Sequence, residues 1–459
     1  MTISSALDAL APLLGDRLSL RAADRDAHGQ SESHFAPTPP DAVAWPRDTE
    51  EVSAIVRICA DHGCPVIPFG AGTSLEGHTL APHGGLTLNL TKMNRILCVH
   101  AEDRDAVVQP GVTREDLNTH LRDTGLFFPV DPGANASLGG MAATRASGTT
   151  TVRYGTMHDN VAALEVVLAD GRIIRTGNRA AKSSAGYDLT GLFVGAEGTL
   201  GIITELTLRL HGQPQAISSA VCAFRDVPAA VEAATQVTLM GLAVARMEFL
   251  DRTCVAVVAA ASKTDFADRP HLFVEFHGSE TSVAEDAATF AEIARDCGGD
   301  DPQVATRPEE RTKLWEMRHR AFWSILAHHP GKRAIVTDVC VPVSALAQAI
   351  AETQADIAAS RVPGPILGHV GDGNFHAALL IDDDSAEDRA AAMALSAQMA
   401  ERALRLGGTV TGEHGIGMGK LAYMDREHGE GWDVMAQIKR ALDPDGLMNP
   451  GKMLRQPGG

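Results

Sequence analysis

The amino-acid sequence predicts an α+β protein that folds as at least two domains. The chain has 459 residues, which exceeds the size at which one hydrophobic core usually stops growing. Between residues 41 and 210, helical stretches alternate with β-branched segments that are typical of strands. A second helix-and-strand region follows residue 214 and contains an apolar hairpin. We therefore expect an α+β second domain with an antiparallel sheet and a C-terminal helical segment.

The segment DTEEVSAIVRICADHG is the clearest predicted helix of the first domain. Asp48 is a suitable N-cap, Glu50 and Glu51 lie in the first turn, and Gly63 follows the last turn. A strand should follow in CPVIPFG. Other strand-like segments are GLTLNL, AVVQPG, ALEVVLADGRIIRTG and GIITELTLRL, and REDLNTHLRDTG is helical in pattern.

The region from about residue 216 to 360 predicts two helices and two strands. The helices lie in VPAAVEAATQVTLMG and TSVAEDAATFAEIARDCGG, and the strands in ARMEFLD and HLFVEFHG. At the N-terminus, Ala6, Leu7, Leu10 and Leu13 have the spacing of a surface helix, although we expect residues 1–35 and 455–459 to be frayed. The predicted domains are a helical segment at 1–35, a first domain at 36–213 and a second domain at 214–459.

Composition excludes several classes of protein. Forty Lys and Arg against 58 Asp and Glu give a formal net charge of −18, which argues against nucleic acid as a partner. Seven single cysteines without a Cys-x-x-Cys pair argue against a disulfide framework. Because the sequence has neither a signal-peptide pattern nor 18 consecutive apolar residues, we expect a cytoplasmic protein, at most peripheral on a membrane. We also expect a monomer or homodimer.

Three glycine-rich segments predict a nucleotide cofactor. PFGAGTSLEGH follows a predicted strand and could present backbone N–H groups to a phosphate. It lacks the Gly-Lys-Ser/Thr ending of a P-loop and the spacing of a dinucleotide-binding helix. PVDPGANASLGGMAATRASGTTTVRYG and SAGYDLTGLFVGAEGTLGIITELTLRL are also rich in glycine and small residues. One such loop would serve as a turn, but three together favour a large nucleotide.

The hairpin ILGHVGDGNFHAALL contains a candidate metal-binding pair. Residues 371–374 have the composition of a four-residue turn between two apolar strands. Pairing Val370 with Phe375 would place His369 directly opposite His376, with Cβ atoms roughly 4.5–5.5 Å apart on one sheet face. A histidine-rich turn without metal is the alternative.

The segment TGEHGIGMGK supplies a third candidate ligand and a candidate base. Glu413 and His414 are adjacent in a glycine-rich bend, and neighbouring side chains of an extended segment point in opposite directions. Two imidazoles with one carboxylate leave coordination sites open, as in a catalytic zinc or manganese centre. His414 could remove a proton or serve as an extra ligand.

Residues 41–210 resemble the FAD-binding domain of the vanillyl-alcohol-oxidase type, also called the PCMH type, through the three glycine-rich segments. Members with covalent flavin often have a histidine where this chain has Thr73, so the resemblance implies non-covalent FAD, with His78 as the alternative attachment point. The implied cofactor-binding residues are Pro68, Gly70, Ala71, Gly72, Thr73, Ser74, Gly77, His78, Pro132, Gly133, Ser137, Leu138, Gly139, Gly140, Ala143, Ser147, Gly148, Tyr154, Gly155, Gly198 and Ile203.

From about Trp315 onwards, the chain resembles the FAD-linked D-lactate dehydrogenases and glycolate oxidase subunits, through LWEMRHRAFWS, TDVCVPVS, GHVGDGNFH, TGEHGIGMGK and LDPDGLMNPGK. The resemblance implies oxidation of a D-2-hydroxy acid, above all D-lactate, by hydride transfer to FAD. Electrons would pass to a cytochrome, a quinone or an electron-transfer protein. The implied roles are metal binding by His369, His376 and Glu413, carboxylate binding by Arg318, and proton removal and substrate binding by His414.

The chain departs from the related sequences at two positions, and alternatives exist for the role of Arg318 and for the function. Arg145 replaces a glycine of the related sequences, and it could crowd the flavin loop or add a cation beside the pyrophosphate. Val336 stands where D-2-hydroxyglutarate enzymes have a lysine, which favours a monocarboxylate, although D-2-hydroxyglutarate and glycolate stay open as substrates. A surface salt bridge is the alternative role for Arg318. A nucleotide-binding metal hydrolase and a non-enzymatic binding module are the alternative functions.

Overall fold

The computed structural model describes residues 2–454. The α-helices are α1 (Ile3–Leu14), α2 (Ala22–His28), α3 (Thr49–His62), α4 (Arg114–His120), α5 (Leu138–Ala143), α6 (Thr151–Tyr154), α7 (Met157–Asn160), α8 (Leu189–Phe193), α9 (Val227–Leu239), α10 (Arg252–Ser262), α11 (Glu280–Asp296), α12 (Pro308–His319), α13 (Ala321–His328), α14 (Leu346–Ala359), α15 (Ala386–Arg405), α16 (Met424–His428) and α17 (Glu430–Leu442). The strands are β1 (Leu18–Ser19), β2 (Ala42–Ala44), β3 (Val66–Phe69), β4 (Leu86–Asn89), β5 (Ile96–His100), β6 (Asp105–Val108), β7 (Leu126–Phe127), β8 (Val161–Val167), β9 (Ile173–Gly177), β10 (Ile202–Arg209), β11 (His211–Gly212), β12 (Ala216–Ala223), β13 (Val244–Leu250), β14 (His271–Gly278), β15 (Gln303–Ala305), β16 (Lys332–Val336), β17 (Val339–Cys340), β18 (Ile366–His369) and β19 (Asn374–Asp382).

The chain folds into two compact units. The first comprises Met1–Ser147, Gly155–Gln213 and Glu413–Gly459, and the second comprises Gly148–Tyr154 and Pro214–Gly412. The C-terminal segment, predicted as part of the second domain, thus belongs to the first compact unit. The sequence domains at 1–35, 36–213 and 214–459 stay a prediction, because sequence similarity and compactness divide a chain by different criteria.

A mixed four-stranded sheet forms one part of the first unit. Its strand order is β1-β2-β4-β3, with β2 and β3 parallel to β4 and β1 antiparallel to β2. Helix α3 begins and ends as predicted, because the Asp48 carboxylate accepts a hydrogen bond from the Glu51 N–H at 2.8 Å and Gly63 adopts φ +67°. Its apolar side chains Val52, Ile55 and Cys59 are buried in the core.

The prediction that residues 1–35 are frayed is wrong for helix α1. The Thr2 hydroxyl caps this helix by accepting from the Ser5 N–H at 3.2 Å. Ala6 and Leu10 have no exposed surface, and Leu14 is also buried. These three residues pack in the same apolar core as α3 and the four-stranded sheet, so tertiary burial holds the segment. Residues 455–459, also predicted to be frayed, lie outside the described residues.

An antiparallel five-stranded sheet forms the other part of the first unit. Its order is β5-β6-β10-β8-β9, and its core includes Leu117 of α4 and Met141 of α5. A two-stranded ribbon of β7 and β11 accompanies it. The segments predicted as strands in residues 41–210 are all found, at β3, β4, β6, β8, β9 and β10.

The second unit is built on an antiparallel eight-stranded sheet. Its order is β15-β12-β14-β13-β18-β19-β16, with β17 also paired to β19. One apolar core contains residues of α9, α11, α14 and α15, and another contains residues of α10, α12 and α13. The two predicted helices and two predicted strands are present as α9, α11, β13 and β14. The prediction was incomplete, because strand β12, of eight residues, and helix α10, of eleven residues, were not recognised from their local pattern.

The hairpin of β18 and β19 forms, but its predicted register is wrong by two residues. His369 pairs with Asn374, and His376 pairs with Leu367, so the turn comprises residues 370–373. A shift of two residues keeps both histidines on the same face, whereas a shift of one would separate them. Gly373 gives the reason: its φ is +85°, and a Cβ atom there would overlap the Val341 carbonyl oxygen.

No helix within residues 2–454 has the length and apolarity needed to cross a membrane. The seven cysteines are free thiols in the structure.

Candidate active site

The three glycine-rich segments converge within the first unit. A Cβ atom on Gly70 of the first segment would overlap the Ser137 hydroxyl of the second. A Cβ atom on Gly198 of the third segment would overlap the Pro68 ring of the first. Because glycine alone permits these approaches, the segments form one continuous surface of backbone and small side chains.

This surface contains buried polar atoms that have no hydrogen-bond partner among residues 2–454. They are the hydroxyls of Ser74, Thr79 and Ser137 and both ring nitrogens of His78. His78 Nε2 does lie 3.3 Å from Glu197 Oε1, an ion-pair distance without hydrogen-bond geometry. A buried polar atom left unsatisfied costs roughly 1–3 kcal/mol, so this cluster fits a ligand rich in hydrogen-bonding groups, as FAD is.

Several other predicted cofactor residues have structural roles that the structure makes visible. Leu138 and Ile203 are buried in the apolar core, and the Ala143 carbonyl oxygen accepts the Glu197 N–H at 2.8 Å. Gly155 adopts φ +76°. The other glycine-loop residues fall into three groups. Two are exposed, namely Ala71 and Gly133, and six are half-buried, namely Gly70, Gly72, Thr73, Ser74, Pro132 and Gly140. Four take part in close contacts of the loops, namely Pro68, Gly77, Gly139 and Gly198.

Two predicted cofactor residues, Gly148 and Tyr154, belong to the second unit. The Tyr154 hydroxyl lies 2.8 Å from His277 Nδ1, and burial raises the pKa of Tyr154. Burial therefore favours the neutral phenol, and the contact with His277 on β14 positions its hydroxyl.

Arg145, where the resemblance implies a glycine, adopts a backbone conformation that glycine favours. Its φ is +53°, in the left-handed region that favours glycine. The exposed side chain turns to the Val194 carbonyl oxygen, to which its Nη2 donates at 3.1 Å. It also packs on Gly195, where an added Cβ atom would lie 2.9 Å from Arg145 Nε. The guanidinium is thus engaged with the α8–β10 connection.

A buried carboxylate joins Arg318 to His369 in the second unit. Glu248 has no exposed surface; its Oε2 accepts from Arg318 Nη2 at 2.5 Å, and its Oε1 lies 2.6 Å from His369 Nδ1. Glu248 and His369 are directly opposed on β13 and β18, while Arg318 lies on α12. The alternative of a surface salt bridge is excluded for Arg318, because the side chain is 8% exposed.

The guanidinium of Arg318 is not saturated by this contact. Its Nε is buried and has no hydrogen-bond partner in the described part of the chain. A second anionic group would satisfy it, since a guanidinium offers five donors in a planar fork.

The two histidines face each other at short range. Their ring centroids are 5.6 Å apart and their planes are nearly perpendicular, and the nitrogens they offer lie within 4.8 Å of each other. Nδ1 of His376 is 2.9 Å from the Thr337 carbonyl oxygen, just as Nδ1 of His369 contacts Glu248. Both rings are therefore oriented through Nδ1, which makes Nε2 the nitrogen for a metal.

Asp338 braces the hairpin that carries His376. Its Oδ1 accepts from the Asn374 side-chain amide at 2.7 Å, and its Oδ2 accepts from the Thr411 hydroxyl at 2.7 Å. A Cβ atom on Gly412 would overlap the Asn374 amide. The segment 411–412 is thus packed directly on the strand end beside the histidine pair.

The bend that follows does not separate its two functional side chains as predicted. Residues 412–414 form a bend instead of an extended strand, and Glu413 Oε1 lies 3.9 Å from His414 Nε2. The expectation that these side chains point in opposite directions is wrong for that reason. Ser147, predicted to contact the cofactor, donates to Glu413 Oε2 at 3.0 Å.

Glu248 is a site residue that sequence reasoning missed, and Glu275 is a second buried carboxylate on the same sheet. Glu275 accepts from the Ser219 hydroxyl at 2.8 Å and lies 2.9 Å from His277 Nε2. Burial opposes its ionisation, but His277 and Arg246 outweigh burial and lower the pKa of Glu275. A signal existed in ARMEFLD, where two charged residues alternate with apolar ones in a strand that is otherwise core.

The fold and these side chains define the class of flavin-dependent oxidoreductases. A family model described as the FAD binding domain matches residues 40–177. A family model described as the C-terminal domain of FAD linked oxidases matches residues 213–453. The chain belongs to this family of FAD-linked oxidases, and the predicted FAD-binding fold and FAD cofactor are confirmed.

Relatives of known name align over nearly the whole chain. A probable mitochondrial D-lactate dehydrogenase of Danio rerio is 50% identical over 441 residues, covering 95% of this chain and 89% of the relative. The mitochondrial D-lactate dehydrogenase [cytochrome] of Arabidopsis thaliana is 44% identical, covering 97% and 79%. The glycolate oxidase subunit GlcD of Bacillus subtilis is 37% identical, covering 90% and 89%.

Solved structures of the same fold are more distant in sequence. p-Cresol methylhydroxylase has a TM-score of 0.80 at 18% identity, covering 98% of this chain and 96% of that chain. 4-Ethylphenol oxidase from Gulosibacter chungangensis has a TM-score of 0.80 at 19% identity, covering 99% and 97%. These likenesses confirm the predicted PCMH-type fold.

Proposed function

We propose that this FAD-dependent dehydrogenase oxidises D-lactate to the corresponding 2-oxo acid with a divalent metal beside the substrate. The observation that carries the proposal is the buried Arg318–Glu248–His369 chain. It places the Arg318 guanidinium, which suits a carboxylate, near the His369 imidazole, which suits a metal. A 2-hydroxy acid has a carboxylate beside its hydroxyl group and could contact both. The relatives named D-lactate dehydrogenase support the choice of substrate.

Arg318 would bind the substrate carboxylate. One side of its guanidinium is held by Glu248, and its buried Nε is left for a second anion. Because Glu248 fixes the side chain before substrate arrives, little rotamer entropy is lost on binding.

His414 would remove the proton from the substrate hydroxyl. Imidazole has an unperturbed pKa near 6.5, which suits a general base at neutral pH. His414 Nε2 also lies 3.9 Å from Oε1 of Glu413, a proposed metal ligand. Service as an extra metal ligand is therefore the alternative role of His414.

His369, His376 and Glu413 would hold the metal, as candidate ligands of the right types. Glu413 is bonded to Gly412, which packs against Asn374 at the end of the histidine hairpin. One carboxylate and two imidazoles suit zinc or manganese. Such an ion lowers the pKa of a hydroxyl group bound to it. Glu248 and Thr337 would set the ring orientations through Nδ1.

FAD would lie along the first unit's glycine-rich surface, where Ser74, His78, Thr79 and Ser137 present buried polar atoms. When bound, FAD accepts the hydride from the carbon that carries the substrate hydroxyl. We propose non-covalent binding, in line with Thr73 in the first segment.

The substrate side chain should be small. Val336 ends strand β16, where the resemblance to D-2-hydroxyglutarate enzymes would require a lysine, so a second carboxylate would have one cationic partner fewer. Glycolate is the second candidate substrate, supported by the similarity to the glycolate oxidase subunit.

A cytochrome is the proposed electron acceptor, because two relatives from plants and yeast carry that word in their names. Those relatives are also named as mitochondrial, and the cytoplasmic location of this chain stays a prediction.

Anaerobic reduction of the bound flavin tests the proposal. The purified holoenzyme is mixed with D-lactate, L-lactate, glycolate and D-2-hydroxyglutarate, each with and without a chelator, and flavin absorbance is followed. We expect bleaching by D-lactate, which the chelator slows and added zinc or manganese restores. Bleaching by none of the four acids would contradict the proposal, and bleaching by L-lactate alone would contradict its stereochemistry.

A further inference from the structure

We propose that Glu197 is a positioning residue that holds the bend carrying Glu413 and His414. This inference rests on the proposed function, because the roles given to those two side chains make the position of the bend important. Glu197 lies in the third glycine-rich segment, more than 200 residues before the bend it contacts.

The Glu197 carboxylate clamps the backbone of the bend with both oxygens. Oε1 accepts from the Ile416 N–H at 2.7 Å, and Oε2 accepts from the Gly417 N–H at 2.8 Å. The side chain is 2% exposed, so water does not compete for these bonds. Two charge-assisted bonds to successive amides fix both the position and the orientation of the backbone that follows His414.

The bend is shaped to reach this carboxylate. Gly415 adopts φ +79°, and a Cβ atom there would lie 2.6 Å from Glu197 Oε1 and 2.7 Å from His78 Nε2. A side chain at this position would push the bend away from the carboxylate. Glycine at position 415 therefore permits the local turn and also allows the bend to lie close to Glu197 and His78.

The backbone of Glu197 is itself held in an unfavourable conformation. Its φ is +52°, in the left-handed region where a non-glycine residue is strained. The Glu197 N–H donates to the Ala143 carbonyl oxygen at 2.8 Å, and its carbonyl oxygen accepts from the Asn449 side-chain amide at 2.7 Å. Glycine would relieve the strain, so the presence of glutamate indicates that the carboxylate has a use.

The carboxylate is ionised in spite of its burial. Burial alone would raise the pKa of Glu197, but His78 and the two backbone donors outweigh burial and lower it. An anion that accepts from two N–H groups is what the geometry requires. Glutamine has the same shape but only one acceptor oxygen. In Glu197→Gln, one of the two backbone N–H groups of Ile416 and Gly417 would therefore face the side-chain NH₂ group, which is also a donor.

The variant Glu197→Gln tests the positioning role, with Glu205→Gln as the matched control. Glu205 lies on β10, where it pairs with Arg175 away from the bend. In the holoenzymes we compare hydrogen exchange of segment 415–418, flavin content, bound manganese, and kcat and KM for D-lactate. We expect Glu197→Gln to keep its flavin, to exchange the Ile416 and Gly417 amides at least about tenfold faster, and to lose roughly 10- to 100-fold in kcat. The control should match wild type.

A second variant keeps the test decisive if Glu197→Gln does not fold. Gly415→Ala leaves the carboxylate intact but displaces the bend, so it should show the same faster exchange and lower kcat. Unchanged exchange in residues 416 and 417 of either folded variant overturns the inference. Failure of wild type to oxidise D-lactate would contradict the proposed function alone, because the exchange measurement does not depend on the substrate.

Discussion

At the scale of single residues, the site is organised by carboxylates that do not themselves meet substrate in our proposal. Glu248 orients Arg318 and His369, and Asp338 braces the hairpin through Asn374. Each is fully or almost fully buried, where an ionised group persists only with partners. Such residues set the geometry of the side chains that we propose to bind metal and substrate.

Removing the charge of Glu248 should loosen both of its partners. For Glu248→Gln we expect metal affinity to fall roughly 10- to 100-fold, the range typical of lost outer-sphere partners, together with a higher KM for D-lactate. Calorimetric titration with manganese and steady-state kinetics measure these effects. Glu275→Gln is the matched control, since it removes another buried carboxylate from the same sheet. An equal loss in both variants would indicate a general effect on folding.

Removing the His414 imidazole should separate chemistry from binding. We expect His414→Ala to retain its metal and its yellow colour while flavin reduction by D-lactate slows by roughly 10²- to 10⁴-fold, the usual contribution of a general base. Stopped-flow absorbance and elemental analysis measure the two quantities. Loss of the metal in this variant would instead make His414 a ligand.

At the scale of elements, local patterns predicted those parts of the fold that depend on local chemistry. Asp48 and Gly63 bound α3 because capping and left-handed backbone are properties of a few adjacent residues. The hairpin register was missed because Gly373 must fit against Val341, a residue more than thirty positions away. Glu248 was missed for the same reason: its partners lie on a strand and a helix far along the chain.

Arg145 offers a test of backbone strain within one loop. Both Arg145→Gly and Arg145→Ala lose the hydrogen bond to Val194, but only glycine relieves the φ of +53°. We therefore expect the glycine variant to be more stable than the alanine variant by about 1 kcal/mol. Thermal unfolding of the two holoenzymes measures this difference. Equal melting temperatures would show that the loop relaxes around alanine.

At the scale of the whole molecule, the C-terminal segment is an integral part of the first unit. The Val66 N–H donates to the Leu447 carbonyl oxygen at 2.9 Å, and the Asn449 N–H donates to the Val66 carbonyl oxygen at 2.9 Å. Lys439 Nζ donates to the Thr199 carbonyl oxygen at 2.6 Å. The motifs of this segment predicted that it contributes residues to the site. No local pattern indicated that it packs in the first unit instead of the second.

Buried Lys452 should make stability depend on pH. Burial lowers the pKa of Lys452 to about 7, with Glu197 offsetting part of the effect, whereas an unfolded lysine titrates near 10.4. Between these values the unfolded state holds more protons, so stability rises with pH by at most about 1.4 kcal/mol per pH unit. We expect Lys452→Met to flatten the rise in melting temperature between pH 7 and pH 9. The control variant Lys182→Met, which changes an exposed lysine, should keep this rise. If Lys452→Met showed the same pH dependence of melting temperature as wild type, the lowered pKa of Lys452 would be contradicted.

The three-piece construction of the first unit also sets the order in which the molecule can be completed during translation. Its last piece begins at Glu413, after the whole Pro214–Gly412 stretch has been made. At 5–20 residues per second, a ribosome needs roughly 10–40 s to add those residues. Throughout that interval, strand β3 has no Leu447 or Asn449 to bond with, and by its end the second unit has all of its strands. The unit that is started first is therefore finished last.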